Sequence, residues 1–392
     1  MKSCDLLVVG AGIHGAGVAQ AAAALGHRVI VLEKSAIAHG TSSRSSKLIH
    51  GGLRYLESGQ FRLVRESLQE RRILLRIAPE LVRLQSFFVP IYANTRRRPW
   101  QLRAGLALYA LLGGFDRHTH FGTLAPRRLP GLDGLRQDGL ETVFRYFDAQ
   151  TDDALLTRAV IDSAQDLGAE LLLPAELVDA ELGDEGVTAR VRMGSDTLPI
   201  AARVIVNAAG PWAPRVAATV YPALPPTAVE LVQGTHIVVP QRTSRGVYYV
   251  ESPRDGRAIF VMPWQGRTLV GTTETAYRGD PEQVRPLPEE EDYLLEVLAH
   301  YFPAHAAMTR DDIVARFAGL RVLPAGRGRA FGRSREMLLA TDRRRRPRFL
   351  SVLGGKLTGW RAAAALVVER IAASLPAPTR RADTTRLRLR LP

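Results

Sequence analysis

The sequence predicts an α/β fold in which a parallel-sheet nucleotide-binding domain carries an inserted α+β domain built on an antiparallel sheet. Three observations predict it. Residues 5–34 read as strand, glycine turn, helix and second strand. Residues 349–373 repeat the order strand, glycine turn, helix. Between them, from Leu231 onward, the pattern changes to short alternating strands with turns: VQGTHIVVP, GVYYVES, AIFVMPW and TLVGTTE.

The opening unit is specific in its parts. Leu6, Leu7, Val8 and Val9 form an apolar run suited to a buried parallel strand, and Gly10, Gly12 and Gly15 follow in GxGxxG spacing. The first glycine permits the tight turn, the second lets backbone approach a pyrophosphate, and the third lets helix and strand pack closely. The alanine-rich stretch 16–25 then forms a helix whose N-terminus offers free N–H groups to phosphates, and Gly26 stops it. Residues 28–32 make the second strand. Glu33 ends it, 18 residues after Gly15, where a carboxylate accepts from ribose hydroxyls and favours an unphosphorylated ribose, as in FAD or NAD. A lone GxGxxG matches many glycine turns; the strand before, helix after and acid at the right distance make this one a Rossmann-like site.

Residues 41–57, TSSRSSKLIHGGLRYLE, are the second informative stretch. Thr41, Ser42, Ser43, Ser45 and Ser46 offer donors for a pyrophosphate or ring edge, and Gly51 and Gly52 let backbone pass close to a planar ring. Lys47, His50, Arg54 and Tyr55 interleave a proton-transfer group with anion binders. Residues 61–84 have the period of a surface helix, and 96–115 place four arginines and Trp100 before an apolar segment. That segment reads equally as a basic loop before a buried helix or as an amphipathic membrane-surface anchor. The Pro-, Gly- and Arg-rich residues 117–139 read as a long connection. Thr151 caps a helix ending at Gly168, strands follow at 170–173, 177–182 and 187–193, and 203–210 run from a strand into the small-residue turn Ala208–Ala209–Gly210. A helix spans 286–302, with acids in its first turn. Residues 380–392 alternate arginine and leucine without a structural reading.

Composition sets outer limits. A chain of 392 residues accommodates two domains, and 46% hydrophobic with 23% charged residues is ordinary for a globular protein. The single Cys4 excludes an internal disulfide and a thiolate metal cluster, and a reducing compartment is the simplest. No targeting segment is read, and the longest apolar run, 104–115, has 12 residues where a spanning helix needs about 20. Net charge is +14, yet only Lys2, Lys34, Lys47 and Lys356 are lysines, so genomic arginine bias explains much of it. An anionic substrate or membrane surface suits that charge; no nucleic-acid module accompanies it.

The motifs GAGIHGAGVA, SSKLIHGGLRYLE, NAAGPW, GTHIVVP, MPW, GTTE, GLRVL and GGKLTGWR together resemble the FAD-dependent, respiratory glycerol-3-phosphate dehydrogenases over nearly the whole chain. The resemblance implies a glutathione-reductase or D-amino-acid-oxidase type FAD domain made of residues 1–78, 150–225 and 333–380. It implies a substrate domain of 79–149 and 226–332, with 381–392 a basic tail. It implies oxidation of sn-glycerol 3-phosphate to glycerone phosphate, with electrons passed from FAD to a quinone. A cytoplasmic protein peripheral to the inner membrane, with a homodimer among its forms, is also implied. Phosphate and hydroxyl binders fall on Arg54, Tyr55, Arg321, Arg335 and Lys356, and the base on His236 with His50 second. For both imidazoles the competing reading is a satisfied structural histidine. FAD contacts fall on Gly10, Gly12, Ile13, His14, Gly15, Glu33, Lys34, Thr41, Ser42, Ser45, Ser46, Lys47 and Leu48. They continue through Gly51, Gly52, Leu177, Ala208, Ala209, Gly210, Trp212, Gly355, Lys356, Leu357 and Thr358.

Three departures from the family pattern bear on function: the chain stops soon after its final helix, Gly359–Trp360 stands where a tyrosine is expected, and Glu274 replaces an aspartate. They suggest a missing C-terminal helical domain and an altered substrate pocket. Rival readings are an oxidoreductase of 2-hydroxy acids or amino acids on the same fold, and a flavin-binding module without turnover.

Overall fold

The structure is a computed structural model that describes residues 1–116, 118–125, 131–241, 243–325 and 337–392. The chain opens with β1 (Lys2–Val9), α1 (Ile13–Ala24) and β2 (Val29–Leu32). It continues through β3 (Leu48–Ile49), α2 (Phe61–Ile77), β4 (Val82–Tyr92), α3 (Pro99–Leu112), β5 (Gly122–Thr123) and β6 (Leu140–Thr151). Next come α4 (Asp153–Asp166), β7 (Glu170–Leu172), β8 (Glu176–Leu182), β9 (Val187–Met193), β10 (Asp196–Asn207), α5 (Ala213–Ala218) and β11 (Val220–Tyr221). Then follow β12 (Val229–Val239), β13 (Val247–Glu251), β14 (Ala258–Trp264), β15 (Arg267–Gly271), β16 (Thr275–Tyr277), α6 (Pro288–Tyr301) and β17 (Ala315–Pro324). The last elements are β18 (Leu338–Thr341), β19 (Phe349–Leu353) and α7 (Trp360–Ile371).

The first sheet has a parallel centre in the order β7-β2-β1-β10-β19. On the edge opposite β1, the long β10 serves two partners along its length. Its first half carries the antiparallel β9 and, beyond it, β8, while its last three residues pair with β19. Leu6, Leu7 and Val8 of β1 have no exposed surface, as strands covered on both faces require. Small residues let α1 pack closely against α4 and α7, and Gly17 leaves the space that the fully buried Trp360 occupies. Trp360 is therefore part of the sheet's helical cover and does not line the substrate cleft, which removes the expected effect of the Gly-Trp change.

The second sheet is antiparallel except where β13 runs parallel to β4. β12 is its axis. It pairs with β17 from Val229 to Val238 on one side and with β15 and β16 on the other. α6 covers one face, where Glu290 accepts from the hydroxyls of Thr273 and Thr275, both at 2.7 Å, and from Thr235.

Two stretches differ from expectation. The helix expected over 61–84 ends at Ile77, because Pro79 disfavours helical geometry at the residue before it and cannot donate a helical hydrogen bond. Residues 82–92 and 140–151 then form β4 and β6, the longest pairing of the sheet's second half, where the sequence reading had no strand. Val82 and Leu84 fall on one side of VRLQSFFVPIY and Val89 on the other, without a clean alternation, so period alone does not mark it as a strand.

Candidate active site

A cavity of about 480 Å³ runs from the C-terminal ends of β1 and β10 to the middle of β12, at Gly234 and His236, and to Gly319 to Leu323 of β17. This is the crevice where open α/β sheets bind ligands. At one end the glycine turn is forced by its surroundings. Gly10 has φ +102°, a Cβ there would lie 2.9 Å from the Ala208 carbonyl oxygen, and a Cβ on Gly15 would overlap the Gly10 carbonyl. No larger residue fits either place. Glu33 accepts from the Ala11 and Ser35 amides, both at 2.9 Å, one on each carboxylate oxygen. Each oxygen keeps further acceptor capacity and Glu33 lines the cleft, which suits a ribose diol. Ser42 Oγ accepts from the Ile13 amide at 2.8 Å and so ties the hydroxyl loop to the start of α1.

His14 stands in the first turn of α1 against the second glycine turn. It hydrogen-bonds the Gly354 backbone, and a Cβ on Gly355 would collide with its ring at 2.7 Å from Cε1. Burial holds its imidazole down to about 4, so it is neutral at ordinary pH. Lys34 lies over the Trp212 ring, 4.8 Å from its centroid, and pairs with Glu282 at the rim.

The hydroxyl loop is pinned from behind. Thr41 Oγ1 donates to the Leu320 carbonyl at 2.6 Å, the Ser45 amide to Asp153 at 2.9 Å, and Lys47 Nζ to the Ser43 carbonyl at 2.6 Å. Lys47 also pairs with Asp153, both side chains being buried. Its ammonium lies 5.1 Å from the Phe317 ring centroid. Gly51 is held similarly: its amide donates to Tyr109 Oη at 2.9 Å, and a Cβ there would overlap Tyr109 and Leu68. Lys47, Gly51 and Gly15 thus shape the cleft wall from outside its lining. The other expected FAD residues, from Gly10 to Thr358, all line the cleft.

At the far end lie the charged residues. Lys356 Nζ sits 3.7 Å from the centroid of the buried Tyr55 ring, and the Arg54 guanidinium carbon lies 5.1 Å from the same ring. Arg321 on β17 pairs with Glu274 at 3.0 Å and donates to Thr272 Oγ1 at 3.3 Å. Gly234 makes this possible, since a Cβ there would stand 2.9 Å from the Arg321 guanidinium. His236 on β12 is 2% exposed, stacks on Phe317 with centroids 4.9 Å apart, and meets Ser46 Oγ through Nε2 at 2.9 Å. Burial first, then Arg321 and Lys47, hold its imidazole well below the usual histidine range. His50 lies edge-on to Phe260 at 6.3 Å. The cleft brings Arg54, Tyr55, Arg321, Lys356, His50 and His236 together; Arg335 lies outside the described residues.

Sequence reasoning missed the apolar wall opposite. Tyr249 and Phe260, on β13 and β14, are register partners whose rings lie 5.3 Å apart, and both line the cleft. Alternation within VYYV and AIFVM carried that signal, but choosing which face turned inward required the sheet's partner.

Residues 5–366 match the family described as FAD dependent oxidoreductase, and the chain belongs to that family. Its glycine cradle, Glu33 carboxylate and open helix start fit the adenosine and pyrophosphate of FAD, its cofactor. A D-erythritol 1-phosphate dehydrogenase of Brucella abortus is 38% identical over 364 residues, covering 92% of this chain and 72% of that protein. The aerobic glycerol-3-phosphate dehydrogenase of Escherichia coli K12 is 36% identical over 385 residues, covering 95% and 74%. Among solved structures, a glycerol-3-phosphate dehydrogenase from Bacillus halodurans complexed with FAD superimposes with a TM-score of 0.74 at 28% identity, covering 99% of this chain and 68% of that one. Glycine oxidase from Geobacillus kaustophilus, 21% identical with the same TM-score of 0.74, shares the fold.

Proposed function

We propose that the protein oxidises sn-glycerol 3-phosphate to glycerone phosphate. The observation that carries this reading is the pair of cations, Lys356 and Arg54, stacked on the single buried ring of Tyr55 inside the cleft. Like charges gathered on one wall repel each other, and a bound dianion relieves that repulsion. Arg321 adds a third cation whose fork matches a phosphate oxygen pair. A carboxylate, with one charge, would use this end less fully.

When bound, FAD supplies the two-electron acceptor for the hydride leaving the alcohol carbon. The chain's own residues bind the phosphate, hold the alcohol over the cleft floor, exclude water through Tyr249 and Phe260, and receive the hydroxyl proton. His236 is neutral and therefore able to accept that proton. We assign re-oxidation to a membrane quinone, with α3 resting on the lipid surface, where Trp100 and Leu111 are 70% and 56% exposed. A homodimer is compatible with this arrangement.

The similarity to an enzyme named for D-erythritol 1-phosphate favours a second reading, in which a longer polyol phosphate is the substrate. An anaerobic titration of the FAD-loaded protein decides. Bleaching of the flavin band by sn-glycerol 3-phosphate at a lower concentration than by D-erythritol 1-phosphate supports the first reading. The reverse order supports the second. Bleaching by a 2-hydroxy acid or amino acid, and by neither phosphate, overturns both.

A further inference from the structure

The imidazole of His236 is clamped. It is on β12, where its register neighbours are Gly271 of β15 and Phe317 of β17. Phe317 stacks on the ring at an interplanar angle of 18°. Gly271 closes the other side so tightly that a Cβ there would lie 2.8 Å from Nε2 and 2.7 Å from Cγ. A ring held between two strands cannot swing toward a substrate. Its Nε2 is already engaged by Ser46 Oγ at 2.9 Å, and its Nδ1 is buried without a hydrogen-bond partner among the described residues. Ser46 is the more open member of the pair: it is part-exposed on the cleft wall, while His236 is 2% exposed.

From this arrangement we propose that Ser46 is a catalytic residue, the hydroxyl that relays the substrate's proton to His236. The proposal rests on the alcohol-oxidation reading above and adds the route of the proton. As the alcohol C–H bond breaks, with bound FAD supplying the hydride acceptor, the alcohol O–H proton would move to Ser46 Oγ. The Ser46 hydroxyl proton moves in the same step to His236 Nε2, which supplies the lone pair in its Nδ1–H tautomer. The serine ends as it began, the imidazole carries one added proton, and the substrate leaves as the ketone. No co-reactant beyond the flavin is needed. Burial first, then the charges of Arg321 and Lys47, keep the ring neutral at rest, so its Nε2 lone pair is available to the serine proton. Lys47 and Asp153 fix the loop that presents Ser46, since the Ser45 amide donates to Asp153.

The test compares S46A, S46T and wild type, each loaded with FAD. The rate of anaerobic flavin bleaching is measured in H2O and D2O, and FAD affinity by fluorescence quenching. A positioned proton-transfer group contributes about 10²- to 10⁴-fold, so S46A, compared at saturating FAD with its occupancy set from the measured affinity, should bleach about 10²-fold or more slowly. S46T, which keeps a hydroxyl on Cβ, should recover most of the rate and retain a solvent isotope effect. Bleaching by S46A at the wild-type rate overturns the relay. So does an S46T as slow as S46A, which would make the site one of packing alone. If no polyol phosphate bleaches the wild type, the substrate reading fails instead, and the same comparison is run with whichever alcohol does bleach it.

Discussion

Arg321 performs two tasks that one substitution would confound. It lines the cleft where we propose the substrate phosphate binds, and it also pairs with Glu274, whose side chain is 8% exposed. On the proposed reading Arg321→Ala removes a phosphate donor, and it also leaves a buried carboxylate without this partner. The first effect should raise KM by about 10- to 100-fold, the range of a charged hydrogen bond. The second should destabilise the fold by about 3 kcal/mol or less, because the pair is not fully buried. Adding Glu274→Gln should restore the melting temperature and leave KM high. A double variant with wild-type KM would show that Arg321 positions Glu274 and does not hold substrate. Both residues were legible as motif members, GLRVL and GTTE, but their pairing was not: β17 and β15 flank β12 on opposite sides, which brings together residues 47 apart in sequence. The contact between Ser46 and His236 was illegible for the same reason, 190 residues separating its members.

At the scale of elements, what was legible followed the strength of local signals. The apolar runs of β1 and β19 and the glycine turns beside them are read directly from the chain, since each states its conformation locally. β4 and β6 were missed because their burial depends on sheet partners distant in sequence. The C-terminal stretch shows the same limit. Its alternating arginine and leucine suggested nothing, yet residues 379–389 form a strap over the ends of α1 and α2. The Thr379 amide donates to the Leu25 carbonyl and the Leu389 amide to the Ile77 carbonyl, both at 2.8 Å. Leu389, 1% exposed, inserts into the core formed by α1, α2 and α7. Leu389→Ala should therefore lower stability by about 3 kcal/mol, a typical value for a buried leucine. Leu391→Ala, at a half-exposed position, should change it by less than about 0.5 kcal/mol. Urea unfolding of the two variants measures this, and equal midpoints would mean that the strap does not contribute to the folded core.

At the scale of the whole molecule, net charge of +14 says little until it is placed. Much of it is compensated locally: Arg97, counted with the basic cluster before α3, is paired with Glu57 and Glu251. Arg96, Arg98 and Arg103 remain exposed, and they border an outward stripe in which Trp100, Leu111 and Phe115 are 70%, 56% and 66% exposed. The inward face of the same helix, Leu102, Leu106 and Tyr109, is buried in the core. No helix among the described residues is long and apolar enough to cross a membrane. An apolar stripe edged by cations instead suits the plane of an anionic bilayer, with the aromatic ring at headgroup depth. Each basic side chain near such a surface contributes about 1 kcal/mol. Changing Arg96, Arg98 and Arg103 together to glutamine should then weaken binding to vesicles rich in phosphatidylglycerol by about 10²-fold at low salt. The same change should leave binding to neutral phosphatidylcholine vesicles nearly unaltered. Raising ionic strength should reproduce the loss in wild type, because charges separated by more than the Debye length of about 8 Å at 0.15 M are screened. Trp100→Ala separates the other half of the argument: it should weaken binding to both vesicle types equally, since ring burial does not depend on lipid charge. Flotation of all three proteins on both vesicles measures each contribution. Wild-type flotation by the triple glutamine variant would remove α3 from the docking surface and leave the positive charge to the anionic substrate alone.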